Sequence, residues 1–494
     1  MMEEIISLFF KSPLFVQILL LGVIFIFLAL LIIVTVFHKP MGIKSWWFMK
    51  FTSTETEEEL AQSKKQLEES KSTINDLKQK IEELRRPVEV PVIVEPPPLP
   101  GRYFIGIDIG RDKIDYCLID YDKFKEKAYN AVKVIEGTSP TPEHFTDIYP
   151  KLVDIVRTLS QGAPRDVSSI DGIGLGLPGQ VDPREGLLLN SPGFDDVDNE
   201  PLVQKFSDRI RQELRGSLGS LGPSNILRET VPIEIDNDVR CATRYVWKRY
   251  SFDDVICIFV GMGLGSGIVL GGKMLYGYNF TAGEIGHTTI SESCGFLKGQ
   301  TCACGLNGYH WEMYVSGRGM MNIAQTLDPK EYKRLRKDHD SIIQGAEYQR
   351  LLEQKAFSDH LEKHFDENNE LTTYFFSLAF YAGEQYASKL VKEFIDYLAI
   401  GIANYINVIN PRGVYLGGGM IRGFYDNRYK SRYLRCTTEV LLRRELNKYA
   451  LPSARQVAIV RRDYTETRIA SMGAALMLKD QSYFDYKKRS KEAQ

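Results

Sequence analysis

The apolar positions change their spacing four times along the chain. From Leu14 to Phe37 they run almost unbroken, 24 residues with Gln17 and Thr35 as the clearly polar members. As a helix this run spans about 36 Å, enough to cross a hydrocarbon core of ~30 Å with some tilt. A cleaved leader would need a basic start and a small-residue cleavage site. Here Glu3 and Glu4 occupy the start, and no such site follows Phe37. The run is therefore read as a transmembrane helix over 14–37 behind a short segment 1–13. Lys11 precedes it, whereas Lys39, Lys44 and Lys50 follow. That bias puts the C-terminal bulk on the cytoplasmic side of the inner membrane, with Trp46 and Trp47 at the interface. Over 54–86 the spacing becomes a heptad: Leu60, Leu67, Ile74 and Ile81, with Leu77 and Leu84 filling the second seam position. Ser63 and Ser70 hold that position nearer the apolar run, so the expected dimeric coiled coil is weak there and firm further on. The segment 87–101, PVEVPVIVEPPPLPG, is an extended spacer. The head begins at about Arg102 and runs to about Asp480. The segment from Asp328 to Asn369 reads as charged surface helices, and Gln481–Gln494 as a charged, frayed tail.

Two segments of the head share one pattern. Phe104–Asp122 (FIGIDIGRDKIDYCLIDYD) and Val255–Lys273 (VICIFVGMGLGSGIVLGGK) each read apolar strand, glycine turn, apolar strand. Successive backbone N–H groups in such turns form anion-binding nests. No GxxxxGK[ST] run is present, so a P-loop is excluded.

Composition narrows the classes without choosing among them. Of 494 residues 44% are apolar and 26% charged, and the net charge is -2, which argues against broad attraction to nucleic acid. Seven cysteines are too few and too uneven for a disulfide framework. Cys294, Cys302 and Cys304 cluster closely enough to suggest metal binding instead.

Read in order, the head resembles the ROK family of sugar kinases and repressors. Gly106–Lys113 (GIDIGRDK) is similar to its phosphate turn DxGGTK, Gly176–Asp182 (GLPGQVD) to GxPGxVD, and Asn190–Phe194 to NLPGW. Ile233–Ala242 (IEIDNDVRCA) resembles ENDANAAA, Gly261–Val269 the second phosphate turn, and Ala282–His287 the AGExGH motif. Cys302–Glu312 (CACGLNGYHWE) resembles the zinc loop, while Asn410–Met420 and Gly473–Ala475 resemble the C-terminal nucleotide-side signature. The resemblance implies an α/β, two-lobed fold of the actin-like and hexokinase type. It implies ATP, Mg²⁺ and Zn²⁺ as cofactors, a sugar and a nucleotide as ligands, and a second copy of the chain through head and stalk. In the repressor branch a DNA-reading helix pair precedes the head; here the apolar run and stalk stand in its place, so no nucleic-acid partner is expected.

The resemblance assigns roles residue by residue. Asp238 takes the place of the base that accepts the proton of the attacking hydroxyl. Gly179, Asn190, Asn237, Glu284, His287 and Glu312 match the sugar-contacting positions. On the nucleotide side stand Asp108, Gly110, Lys113, Gly261, Gly263, Gly265, Gly418 and Gly419. For zinc the family offers a histidine and three cysteines. This chain has His287, Cys302 and Cys304, with Tyr309 where the third cysteine belongs. A one-residue insertion would bring in His310 and give a His2Cys2 set; Cys294 is the other candidate for the fourth ligand.

The chain also departs from the pattern. Arg111 and Asp112 replace a glycine and a threonine of the first turn, Met262 replaces a threonine of the second, and Arg240 replaces a small polar residue. An aspartate facing phosphate repels it unless a cation intervenes. Two readings stay open: ATP-dependent phosphorylation of a hexose or N-acylhexosamine, and a sugar- or nucleotide-binding sensor or scaffold that has lost transfer.

Overall fold

The computed structural model describes residues 102–127, 129, 132–192, 194–216, 226–227, 230–291, 300–302, 304–306, 309–352, 370–424, 437–461 and 468–492. The expected transmembrane helix, coiled coil and spacer lie outside these residues. Among the described residues no helix is long and apolar enough to cross a membrane. That corrects the expected single-pass placement in the inner membrane, which rested on the run 14–37 and the lysines flanking it. The longest described helix, Gln385–Ile409, is interrupted by Lys389, Lys392, Glu393 and Asp396, and its apolar face is buried in the protein core.

The head holds two sheets built to one plan. In the first, β1 (Tyr103–Ile109), β2 (Lys113–Asp120) and β3 (Lys133–Pro140) form an antiparallel meander, and β4 (Gly172–Leu177) and β7 (Ile233–Asn237) add in parallel, giving the order β3-β2-β1-β4-β7. A two-stranded ribbon, β5 (Gln180–Asp182) with β6 (Leu187–Asn190), sits between β4 and β7 in sequence. In the second sheet β8 (Val255–Val260) pairs antiparallel with β9 (Leu264–Leu270), which carries the short β10 (Lys273–Met274). Here β11 (Gly413–Gly417) and β12 (Ala458–Arg461) add in parallel, giving β10-β9-β8-β11-β12. Strands β1, β4, β8 and β11 are almost wholly buried, which is why each reads as a continuous apolar run rather than an alternating one.

Helices cover the sheets. In the first lobe α1 (Ile148–Gly162) packs against α2 (Leu202–Gly216). The second lobe has a larger helical core, with α3 (Gly317–Leu327), α4 (Thr373–Ala382), α5 (Gln385–Ile409) and α6 (Thr438–Tyr449). Charged helices Pro329–Lys337, His339–Ile343 and Ala346–Leu352 lie within the segment expected to form them.

Two helices lie between the lobes. The helix that follows β7, α7 (Asp238–Tyr250), packs on β8 and β9 of the other sheet as well as on β4 and β7 of its own. The helix that follows β12, α8 (Ile469–Met477), packs on β1, β2 and β4. They cross so closely that a methyl group at Gly473 would stand 1.7 Å from the Cys241 carbonyl oxygen. The frayed tail is corrected too: Gln481–Glu492 is a helix, α9. Its Tyr483 is 1% exposed, and its hydroxyl donates to Glu234 and to the Ile235 carbonyl, 3.0 Å each. Composition misled there because a few aromatic residues among many charges are enough to dock a helix.

Candidate functional site

Parallel strands put their carboxyl ends on one edge of each sheet, and ligand sites form there. In the first lobe Asp108 ends β1, Gly176 lies beside it on β4, and Asp236-Asn237-Asp238 closes β7 and opens α7. A methyl group at Gly176 would stand 3.5 Å from both Asp108 Oδ1 and the Asp238 Cα. The two aspartates therefore face each other across a residue with no side chain.

Asn237 caps α7, accepting from the Val239 and Arg240 N–H groups. Its Nδ2 donates to the carbonyls of Gly179 (3.2 Å) and Leu177 (3.4 Å) and to Asp238 Oδ1 (2.9 Å). Asp238 Oδ1 also accepts from the Val239 N–H at 2.8 Å. Burial pushes the Asp238 carboxyl up to about 6; the Glu284 charge adds to the rise, and the Val239 N–H and the Arg240 charge oppose it. Burial, then the charges of Asp238 and Asp115, hold Asp108 well above the usual carboxylate range.

Gly179 has φ +96°, and a methyl group on it would stand 2.3 Å from the Asn190 carbonyl oxygen. Only glycine lets the β5–β6 ribbon fold this tightly. The Asn190 side chain lies on that ribbon and donates to Gln180 Oε1 at 2.9 Å.

The first glycine turn closes through the Gly110 N–H, which donates to the Lys113 carbonyl at 2.9 Å. Arg111 and Asp112 are exposed on it. Lys113 is exposed, with its Nζ bonded to Asp115 Oδ2 at 2.7 Å. Sequence reasoning missed Asp115, although the β1–β2 register sets it directly opposite Asp108.

In the second lobe Gly261–Gly263 joins β8 to β9, held by the Gly317 N–H donating to the Gly261 carbonyl at 2.7 Å. Gly418 (φ +92°) crosses the end of β8, so it and Gly419 stand beside the same turn. Met262 is 67% exposed there. Gly265 serves packing: a methyl group on it would stand 2.6 Å from Val239 Cγ2 of α7.

Glu284 precedes a single helical turn, Ile285–His287, with its Oε2 3.9 Å from His287 Nε2. Glu312 is buried, one oxygen accepting from the Leu264 N–H of the second turn (3.3 Å) and the other from the Cys302 thiol (2.7 Å). Beside it the ligand atoms of His287, Cys302, Cys304 and His310 all lie within 4.8 Å of one another. Cys302 Sγ is 3.5 Å from His287 Nδ1, and Cys304 Sγ is 3.5 Å from His310 Nδ1. Neighbouring ligands of a tetrahedral zinc stand about 3.3–3.8 Å apart, so the set is close to zinc-binding geometry. The Thr289–His310 bridge holds the two histidine-bearing segments side by side. Burial pushes the Cys302 thiol up to about 12. Burial, with the neighbouring His287, lowers His310. Cys294 lies outside the described residues.

The comparisons with known proteins bear on this edge. An N-acetyl-D-glucosamine kinase of Photobacterium profundum is 28% identical over 326 residues, 64% of this chain and 84% of that one. A glucokinase of Halalkalibacterium halodurans is 26% identical over 377 residues, 75% of this chain and 91% of that one. Among solved structures, a ROK family glucokinase from Streptomyces griseus in complex with glucose and AMPPNP superposes with a TM-score of 0.52 at 21% identity. That match covers 76% of this chain and 98% of the other. The ROK family model matches residues 104–216 and 227–481, which is most of the chain, so this protein belongs to the ROK family.

Proposed function

We propose that the chain is an ATP-dependent sugar kinase acting on a hexose or N-acylhexosamine, with Asp238 as the base. The observation that carries this reading is the Asp238 carboxylate at the mouth of α7, pushed up to about 6 and facing Asp108 across Gly176. A base with a pKa just below neutrality is mostly charged at pH 7, yet basic enough to take a proton as the bond forms. The kinase and glucokinase relatives support the reaction class.

In this mechanism the sugar lies over the β5–β6 ribbon and the Glu284–His287 turn. Glu284, His287 and Asn190 meet its hydroxyls, while Asn237 and Gly179 hold the floor. Asp238 orients one hydroxyl and accepts its proton. The hydroxyl oxygen forms a bond to the γ-phosphorus of ATP, the bond from that phosphorus to the β–γ bridging oxygen breaks, and ADP leaves. Backbone N–H groups of the two glycine turns face the phosphates, with Gly418 and Gly419 on the nucleotide side. Mg²⁺ arriving with the nucleotide would neutralise phosphate charge, and the facing acids Asp108 and Asp238 fit a site where a cation relieves repulsion; Asp108 would hold it. Zinc on His287, Cys302, Cys304 and His310 would be structural, tying the Glu284–His287 turn to Glu312.

One observation favours the alternative, a binding domain without transfer. Lys113 is engaged by Asp115, and Arg111, Asp112 and Met262 alter the phosphate turns. The test is ADP release by the purified protein with N-acetyl-D-glucosamine, glucose and related sugars. Release above background supports the kinase. Sugar binding by calorimetry without release supports the alternative, and neither binding nor release overturns both.

A further inference from the structure

Beneath the site lies a buried charge network that the mechanism does not use. Arg240, two residues after Asp238, sends Nε to Asp236 Oδ1 at 2.6 Å and Nη1 to the Phe280 carbonyl at 2.8 Å. Arg244, one turn further along α7, sends Nη2 to Asp236 Oδ2 (2.9 Å) and to the Tyr276 hydroxyl (2.7 Å), and Nε to Asp480 Oδ2 (2.8 Å). All four charged side chains are at most 4% exposed, and two positive charges balance two negative ones. Such a network is costly to desolvate, and packed apolar residues would often serve stability as well. What apolar residues cannot do is join two particular backbone segments at a set distance.

The two segments that Arg240 joins each lead to a proposed site residue. Asp236 is two residues before Asp238. Phe280 is four residues before Glu284 and is one of the few non-glycine residues held at positive φ, +61°. Its ring is boxed by Arg184, 4.7 Å above it, and by edge contacts to Tyr276 (6.3 Å) and to Tyr486 of α9 (5.1 Å). Three residues on, Gly283 is again left-handed, at φ +96°, and its carbonyl accepts from the Ser266 hydroxyl. The path of the chain into Glu284 is thus set by one strained residue and one glycine. A strained residue of this kind persists only where its surroundings over-determine it.

We propose that Arg240 is a positioning residue. Its guanidinium fork spans Asp236 and the Phe280 carbonyl and thereby sets the separation of the base Asp238 from the sugar-binding Glu284, with Tyr486 of the C-terminal helix holding the Phe280 ring from behind. The proposal rests on the kinase reading, because it needs Asp238 and Glu284 on the same ligand. It accounts for Arg240 in a way the phosphate side does not: the side chain faces the buried network rather than the glycine turns. Lysine is not equivalent here, since one ammonium keeps the charge but lacks the rigid fork that meets both acceptors.

The test compares wild type, Arg240→Lys, Arg240→Met and Tyr486→Ala in the full chain. Titration calorimetry reads binding of N-acetyl-D-glucosamine, glucose and ADP with Mg²⁺. ADP release with the same sugars gives kcat and KM on the folded fraction, fixed by active-site titration. Misplacing a reacting group by about 1 Å costs on the order of 100-fold in rate. Arg240→Met is therefore expected to lower kcat at least tenfold and weaken sugar binding severalfold, leaving ADP affinity within about twofold. Arg240→Lys should recover folding without recovering kcat, and Tyr486→Ala should raise the sugar KM with little change for ADP. Folded Arg240→Met with wild-type kcat and sugar affinity overturns the proposal, as does an equal loss of sugar and ADP affinity. Should Arg240→Met not fold, a Tyr486→Ala protein with unchanged sugar KM and affinity overturns it as well. If wild type binds sugar but releases no ADP, the kinase reading fails on that result alone, and the calorimetry still decides whether Arg240 positions Glu284.

Discussion

Replacing Asp238 with asparagine should raise stability and nearly abolish activity. The carboxyl is pushed from 3.8 to about 6 in the folded protein, chiefly by burial. At about 1.36 kcal/mol per unit, keeping it charged costs the fold on the order of 3 kcal/mol. The group is partly open to solvent, so about 1–3 kcal/mol is the working range. The sign follows from the raised folded value. The carboxyl favours the fold fully below about pH 3.8, and that contribution is lost as pH rises through about 6. Above pH 7 the wild type bears the whole penalty, whereas asparagine bears none and can still accept the Val239 N–H. Urea unfolding at pH 8 should therefore find Asp238→Asn more stable by about 1–3 kcal/mol, a gap that closes below pH 4. Turnover, followed by ADP release, should fall by on the order of 10²–10⁴, with sugar affinity nearly intact, because a base acts in the transition state. In the wild type kcat/KM should drop as pH falls through about 6, as the base becomes protonated. A variant less stable at pH 8, or one whose kcat stays within a few-fold of wild type, would refute the reasoning.

Three further outcomes are expected. Metal analysis of the purified protein should find about one zinc per chain, lost in Cys302→Ser or Cys304→Ser; full zinc in His310→Ala would transfer the fourth ligand to Cys294. Asp112→Thr should tighten binding of ATP with Mg²⁺ about tenfold by removing a like charge from the phosphate turn; calorimetry showing no change would place that turn away from the nucleotide. Tyr483→Ala should cost about 3–5 kcal/mol in urea unfolding, as for a buried aromatic of the core; a cost under 1 kcal/mol would mean that α9 is dispensable.

The edge of the sheets where the site lies was legible in the glycine turns because their chemistry is local. A strand, a turn and a strand put Asp108, Gly110 and Gly261–Gly263 at strand ends wherever the chain goes afterwards. The helix that opens at Asp238, with Asn237 as its cap, was by contrast not read from the sequence. Three of the candidate residues show contacts that only packing reveals. Gly265 makes room for Val239, Lys113 answers Asp115, and Glu312 bonds Leu264 and Cys302. Each depends on a neighbour across a sheet or between helices, which spacing along the chain does not encode.

The amino-acid sequence by itself determined the twin strand–turn–strand halves, the order of motifs that marks the ROK family, and His287, Cys302 and Cys304 as candidate ligands, with His310 and Cys294 left as alternatives for a fourth. These are contiguous patterns whose meaning survives without knowledge of distant partners. Only the tertiary structure decided that α7 packs on both sheets and that α8, after β12, packs on β1, β2 and β4. It also decided that Asp108 and Asp238 come close enough for the charge of Asp238 to help raise Asp108, and that Arg240 is buried against Asp236 and Phe280. The physical reason is burial: a charge changes its role when desolvated beside a partner, and which partner it meets depends on contacts between segments tens to hundreds of residues apart.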